Sequence, residues 1–181
     1  MKTIEIKNFE GKVLFTHTCE NNSIKITLEV AVINRADLYG ADLCGANLCG
    51  ANLSEADLRR ANLCGANLRE AVINRADIYG ADLCGANLSE ADLRRANLCG
   101  AVINRANLCG ANLDFSCMLL WCGDLKANYD DKQVIQQLYH VLSHVKNSSN
   151  VSDELKSLLS DSNLEIANRF HRVEECGKLK K

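Results

Sequence analysis

The chain has 181 residues, with 21 Lys and Arg against 23 Asp and Glu, and a net charge of −2. A charge this balanced disfavours a general binder of nucleic acid or of an anionic membrane surface, because both partners select a basic field. Aromatic residues make up only 5% and proline is absent, which is atypical of an ordinary globular core. The first ten residues lack the apolar segment of a signal peptide, so the ten cysteines predict a reducing, cytoplasmic compartment.

The first thirty residues predict two elements. Apolar residues alternate at 4–6 and again at 13–15, around a turn at 8–11, which indicates a β-hairpin. The polar cluster at 21–23 is typical of a helix N-cap. Residues 24–30 fit one face of a helix and also alternate as a strand does, so both structures stay open and we prefer the helix.

A five-residue repeat dominates the rest of the chain. Ala stands at every fifth position from 31 to 111, seventeen times, and Leu or Ile follows two residues after each. Asp or Asn lies between them in fourteen repeats and Val in three, and Gly ends eight repeats, where the chain would turn a corner. A period of five fits neither a helix nor a flat strand. A coil of four five-residue sides, with twenty residues per turn, would return every Ala and Leu to one interior.

This pattern, A-(D/N)-L-x-x over residues 31 to about 118, resembles the pentapeptide-repeat family. The resemblance implies an all-β solenoid, a right-handed quadrilateral β-helix of about four coils. Bacterial members with a similar lead segment imply a hairpin and short helix as the N-terminal cap, here residues 1–30. The β-helix would span 31–118 and a helical tail 119–181. We expect every Ala and Leu or Ile of the repeat to point inward, with Leu53 stacked between Ile33 and Ile73.

Residues twenty apart should form columns on the outside of the solenoid. We interpret these columns as solvated faces, since exposed pairs contribute little. Three stacked thiols suggest a soft-metal site, but no fourth ligand is evident, so we predict no metal and reduced cysteines. The columns are Asn47, Asn67, Asn87 and Asn107; Tyr39, Arg59 and Tyr79; Arg35, Glu55 and Arg75; and Cys44, Cys64 and Cys84.

Two internal duplications bear on function. Residues 31–48 recur at 71–88 with one change, a shift of two whole coils that keeps each residue on its face. Residues 50–66 recur without change at 85–101, a shift of seven sides that moves each residue to another face. A fitted active site would not survive that rotation, whereas a scaffold would. The copies therefore indicate a scaffold.

The C-terminal end predicts a cap or an interface. Its apolar cluster must be buried by the tail or by a second chain, and we favour a homodimer through this end. Three helices are expected: one with an apolar stripe, one beginning near Ser152 and one with a capping box at 162–165. His140 and His144 share a helical face, but this spacing alone is a weak metal signal. The cluster is Phe115, Met118, Leu119, Leu120 and Trp121, and the stripe is Val134, Leu138, Val141, Leu142 and Val145.

These observations favour a non-catalytic scaffold for protein–protein contact, with no catalytic, cofactor-binding or metal-binding residue and no membrane or direct nucleic-acid partner. The alternative is a mimic of DNA that binds a type II topoisomerase (DNA gyrase), as the quinolone-resistance pentapeptide proteins do. Mimicry needs a column of negative charge. The repeats carry ten acidic residues but also eight arginines, which interrupt that column.

Overall fold

The computed structural model of the chain describes residues 1–114, 116, 138–139, 141–143, 145–146 and 152–168. It divides into two compact units, Met1–Asn128 and Tyr129–Lys181. Among the described residues, no helix combines the length and the apolar character that crossing a membrane requires.

The first unit begins with a hairpin and a helix. Strands β1 (Lys2–Lys7) and β2 (Val13–Cys19) pair antiparallel, as the alternating apolar residues predict. Helix α1 (Ile24–Ile33) follows, so the helix is the right choice of the two left open for this segment. The Ser23 hydroxyl oxygen accepts the amide of Ile26 at 3.2 Å, which confirms the N-cap.

A buried asparagine joins the hairpin to α1. Asn22 is almost fully buried, and its side-chain amide donates to the carbonyls of Lys2 and His17 at 3.2 and 2.8 Å. Its carbonyl oxygen accepts from the buried hydroxyl of Thr27 at 3.0 Å. These three bonds satisfy polar groups of both elements and fix where α1 lies on the hairpin.

After α1 the chain winds in coils of twenty residues. Parallel bridges join residues twenty apart, from Asp42 with Asn62 up to Asp92 with Asn112. Two backbone hydrogen bonds make each bridge. At the first bridge, the Asn62 amide donates to the Ala41 carbonyl of the coil below at 2.9 Å, and the Leu43 amide donates to the Asn62 carbonyl of the coil above at 2.8 Å. The twenty-residue turn that the resemblance implies is therefore present. All sixteen Leu and Ile of the repeat from Leu38 to Leu113 are buried.

The first repeat departs from the pattern. Helix α1 runs through Ile33, whose side chain is 79% exposed, so the expectation that Ile33 points inward under Leu53 is wrong. Leu53 itself is fully buried. The helix ends in a Schellman motif, with the Ala36 amide bonded to the Ala31 carbonyl at 2.9 Å, and the coils begin after it. Three alanines are only partly buried: Ala36, Ala46 and Ala101.

The Asp or Asn of each repeat has a local structural role. In all fourteen, the side-chain oxygen accepts the amide two residues further on, at 2.9–3.3 Å. This Asx turn bends each side into the next corner.

The corner residue has a left-handed backbone in every repeat. All sixteen fifth positions from Arg35 to Gly110 have φ between 53° and 75°. Glycine fills eight of them, as predicted, and the other eight are Arg or Glu, which pay a steric cost there.

The open edge of the first coil is covered by the N-terminal cap. The Asp42 amide donates to the Lys7 carbonyl at 2.7 Å. From α1, the Lys25 ammonium donates to the Cys49 carbonyl at 3.0 Å and the Glu29 carboxylate accepts the Asn52 amide at 2.9 Å. The cap thus satisfies backbone groups that a lower coil would otherwise bond.

The second unit contains short helices. Residues 138–139, 141–143 and 145–146 are helical, followed by α2 (Asp153–Lys156) and α3 (Asp161–Ala167). Its buried cluster consists of Tyr139, Leu142, Leu164 and Ala167.

Several predictions for this unit need correction. Leu142 and Val145 are buried as expected. Val141, which the stripe predicts to be buried, is 41% exposed, and Tyr139, which is not part of the predicted stripe, is buried. Helix α3 is capped by Ser160, whose hydroxyl oxygen accepts the Asn163 amide at 3.3 Å, and not by the predicted box at 162–165. The helix after Ser152 is only four residues long. Val134 and the cluster Phe115, Met118, Leu119, Leu120 and Trp121 lie outside the described residues.

Candidate functional site

One side of the solenoid presents two tyrosines and an arginine in a column, here named the Tyr–Arg face: Tyr39, Arg59 and Tyr79. The two tyrosines are 42% and 49% exposed. The Arg59 guanidinium carbon lies 5.8 Å from the centre of the Tyr39 ring, a cation–π distance. Arg59 and Tyr39 therefore stack across adjacent coils.

An ion pair holds Arg59 in place. Its Nε and Nη2 donate to the two carboxylate oxygens of Asp57 at 2.7 and 2.6 Å, and Asp77 lies 3.7 Å away. The hydrogen bonds from Arg59 lower the pKa of the Asp57 carboxyl, and those bonds raise the pKa of the guanidinium. The pair is exposed, so it stabilises the fold little, but it orients the guanidinium over the ring.

The same pair recurs in the second copy of the duplicated segment. Arg94 binds both oxygens of Asp92 at 2.8 and 2.7 Å, and this bond lowers the pKa of Asp92. The duplication places this copy on a different side, so the pairing depends on the local sequence alone. The second copy lacks the stacked tyrosine. One coil below Arg94 stands Asn74, at the position that Tyr39 occupies below Arg59.

A groove lies beside the lower end of the Tyr–Arg face. It encloses about 420 Å³ where α1 leaves the first coil, and Leu38 and Asp57 line it on the coil side. Val32 and the exposed Ile33 line it on the side of the helix. The groove exists because the first repeat is helical, so the sequence pattern gave no signal of it.

Side-chain hydrogen bonds join some members of the asparagine column. The Asn67 amide donates to Asn47 at 3.4 Å and the Asn107 amide to Asn87 at 3.3 Å. In the charged column, Arg75 pairs with Glu55 at 3.3 Å. These contacts are exposed or half-buried and act as links between coils.

The cysteine column brings two thiols to a carboxylate. The sulfurs of Cys64 and Cys84 and an oxygen of Asp82 all lie within 4.8 Å of one another. The pKa of the Cys64 thiol is raised, first by partial burial and then by the negative charges of Asp82 and the neighbouring cysteines. Without a cation, Cys64 is therefore a poor nucleophile.

One cysteine contradicts the expectation of a fully reduced solenoid. Cys99 forms a disulfide bond. The thiols of Cys19, Cys44, Cys49, Cys64 and Cys84 are free. His140 and His144 are also outside the described residues, so their proposed shared face stays a prediction.

The repeats that form these coils match a known family. The family model for pentapeptide repeats matches residues 25–50, 31–69, 51–89 and 76–114, in eight copies. The chain belongs to the pentapeptide-repeat family. No curated protein matches this pentapeptide-repeat protein significantly.

Three solved structures are similar to this pentapeptide-repeat protein. A pentapeptide repeat protein of the Arabidopsis thaliana thylakoid lumen is 30% identical, covers 64% of this chain and 88% of its own, and gives a TM-score of 0.47. Rfr23 from the cyanobacterium Cyanothece is 36% identical over 49% of this chain and 60% of its own, with a TM-score of 0.37. QnrB1, a plasmid-mediated fluoroquinolone resistance protein, is 17% identical over 55% and 62%, with a TM-score of 0.22.

Proposed function

We propose that this pentapeptide-repeat protein is a non-catalytic scaffold that binds a protein partner through the Tyr–Arg face. The observation that carries the proposal is the exposed column of Tyr39, Arg59 and Tyr79, with its guanidinium held by an ion pair. Tyr and Arg are the residues most enriched where interfaces concentrate their binding energy.

The rigidity of the face supports this role. Each residue of the column follows a buried Leu or Ile and an Asx turn, as Tyr79 follows Ile78 and bonds Asp77 at 3.1 Å. The backbone that carries these side chains is therefore already ordered, and binding a partner would cost little backbone entropy. The adjoining groove, with Ile33 on its rim, adds an apolar contact to the same surface.

The ion pairs argue against mimicry of DNA. Arg59 and Arg94 neutralise the aspartates within their own repeats, and Arg69 pairs with Glu70 at 2.8 Å. A gyrase supercoiling assay separates the two functions. We expect no inhibition and no protection by the full chain, and protection from a quinolone would favour the DNA-mimic alternative.

The test of the proposal is comparative capture from the source cell. The immobilised full chain, a Tyr39→Ala, Tyr79→Ala double variant and a control with Cys49→Ala and Ser89→Ala, in the same position of the repeat on another side, would be compared by quantitative mass spectrometry. We expect one protein retained by the wild type and the control and lost from the double variant. A partner retained equally by all three places the contact elsewhere and contradicts the proposal.

Three further properties belong to this proposal. The coils are right-handed, as the family implies. The free thiols favour a reducing cytoplasm, whereas the disulfide bond of Cys99 counts against it. A homodimer through the C-terminal end would give the partner two copies of the face. Sedimentation of the full chain beside one shortened to residue 128 tests this. A monomeric full chain at tens of micromolar contradicts the dimer.

A further inference from the structure

We propose that Cys64, Asp82 and Cys84 form a binding site for one thiophilic divalent cation, zinc in a cell, although the sequence alone predicts no metal. Two thiols and a carboxylate whose ligand atoms lie within 4.8 Å of one another form this site on one side of the solenoid. Cysteine thiolate and aspartate carboxylate are both ligands that zinc accepts.

The spacing fits a single ion after small rotations about the side-chain bonds. With metal–sulfur bonds of about 2.3 Å, two sulfurs bound to one tetrahedral ion lie about 3.8 Å apart. Adjacent coils are separated by about 4.8 Å, so the two sulfurs must approach each other by about 1 Å, which rotations about the side-chain bonds supply. Three protein ligands leave the fourth position open to water.

The carboxylate is held toward the thiols. The Cys84 amide donates to the Asp82 carboxylate at 2.9 Å, the Asx bond of this repeat. That bond uses one of the acceptor positions of the carboxylate and leaves the others for a cation. A cation would also offset the crowding of negative groups around Cys64.

The site lies higher in the column than Cys44. Cys44 and Cys84 are two coils, or about 9.6 Å, apart and cannot share one ion. The equivalent position between Cys44 and Cys64 is filled by the amide of Asn62, which bonds Asp42 at 3.0 Å. The upper pair has a carboxylate, Asp82, two residues before its upper cysteine, whereas the lower pair has Asn62 there. Cys44 therefore provides a control within the same column.

The test is metal binding by the full chain with the metal alone as probe. Protein purified without a His tag is handled under nitrogen, so that the free thiols stay reduced and the disulfide bond of Cys99 stays intact, and is titrated with Zn²⁺ against a competing chelator. A second titration uses Cd²⁺ while the thiolate-to-metal charge-transfer absorption is followed. We expect one ion per chain. Cys64→Ser and Cys84→Ser should each weaken binding by at least about tenfold, the lower end of what loss of an outer-shell partner costs.

Two variants complete the design. Asp82→Asn keeps the Asx bond, as Asn62 does for Cys64 at 3.1 Å, so weaker binding by this variant reports the lost charge and not a misfolded repeat. Cys44→Ser should bind zinc as the wild type does. An affinity unchanged in Cys64→Ser, or a Cys44→Ser variant that loses binding equally, overturns the proposed site.

Discussion

Two segments of identical sequence, Ala31–Arg35 and Ala71–Arg75, fold differently in this protein. In the first, the chain is the end of helix α1 and Ile33 is 79% exposed. In the second, it is one side of a coil and Ile73 is 2% exposed. The pentapeptide therefore does not specify its own structure.

The difference follows from the neighbours that each copy has. In the second copy, the Val72 amide bonds the Ala51 carbonyl below at 2.8 Å and the Ile73 amide bonds the Asp92 carbonyl above at 2.7 Å. The first copy has no complete coil beneath it. It satisfies its amides within the helix, where Asn34 bonds Val30 at 3.0 Å.

One feature is the same in both copies. Arg35 and Arg75 have φ of 53° and 59°, so the corner is left-handed whether it ends a helix or a coil side. A helix with a left-handed C-terminal residue and a repeat with a left-handed corner direct the chain onward in a similar way. The same five residues therefore continue into the next repeat whether they end a helix or form a coil side.

The largest expected effect is on the buried copy. Ile73→Ala should lower the free energy of unfolding by about 2–5 kcal/mol, because it leaves a cavity in the stack. Ile33→Ala should change it by about 0.5 kcal/mol or less, because the side chain is in solvent. Urea unfolding of both variants measures the contrast. Equal losses would mean that the first repeat is also a coil side.

The next largest effect is expected at Asn22, which joins the hairpin to the helix that contains the first copy. Asn22→Ala should cost about 1–3 kcal/mol, because it leaves two backbone carbonyls and the Thr27 hydroxyl without a partner. A double-mutant cycle with Thr27→Val separates the hydroxyl bond from the carbonyl bonds. Hydrogen exchange should accelerate at Ala31–Arg35 more than at Ala71–Arg75. Uniform acceleration would contradict a role specific to α1.

A smaller effect is expected at Glu29, through which helix α1 bonds the first coil. The Asn52 amide bonds the Glu29 carboxylate of α1, whereas the Val72 amide bonds a backbone carbonyl. Glu29→Ala should lower the free energy of unfolding by about 1 kcal/mol, the usual value of one such hydrogen bond. Glu29→Gln keeps an acceptor and should recover most of the loss in thermal melts. A Gln variant as unstable as the Ala variant would assign the effect to charge.

The smallest effect is expected at the left-handed corner residue, which both copies have. Arg35→Gly and Arg75→Gly should each raise the free energy of unfolding by about 0.5–1 kcal/mol, since relief of the left-handed strain exceeds the entropy that glycine loses. The exposed pair of Arg75 with Glu55 adds little. Chemical denaturation of both variants should give the same sign. Opposite signs would separate the helix end from the coil corner.

The candidate site was only partly predictable. The Tyr–Arg and cysteine columns follow from a period of twenty, so Tyr39, Arg59, Cys64 and Cys84 were placed correctly on the outside. The approach of Asp82 to the thiols was missed, because it depends on side-chain directions around an Asx turn. The groove at Ile33 was missed because its repeat is intact in sequence and helical in structure.

The sequence by itself determined the coil, its period, its buried Leu and Ile, and its corners, because those properties repeat every five residues and depend on local bonds. It also determined the start of α1, through the Ser23 cap. The tertiary structure decided where the solenoid begins. A β-ladder needs a partner strand on each side, and the first repeat lacks one below, so the hairpin, Asn22 and α1 settled its conformation.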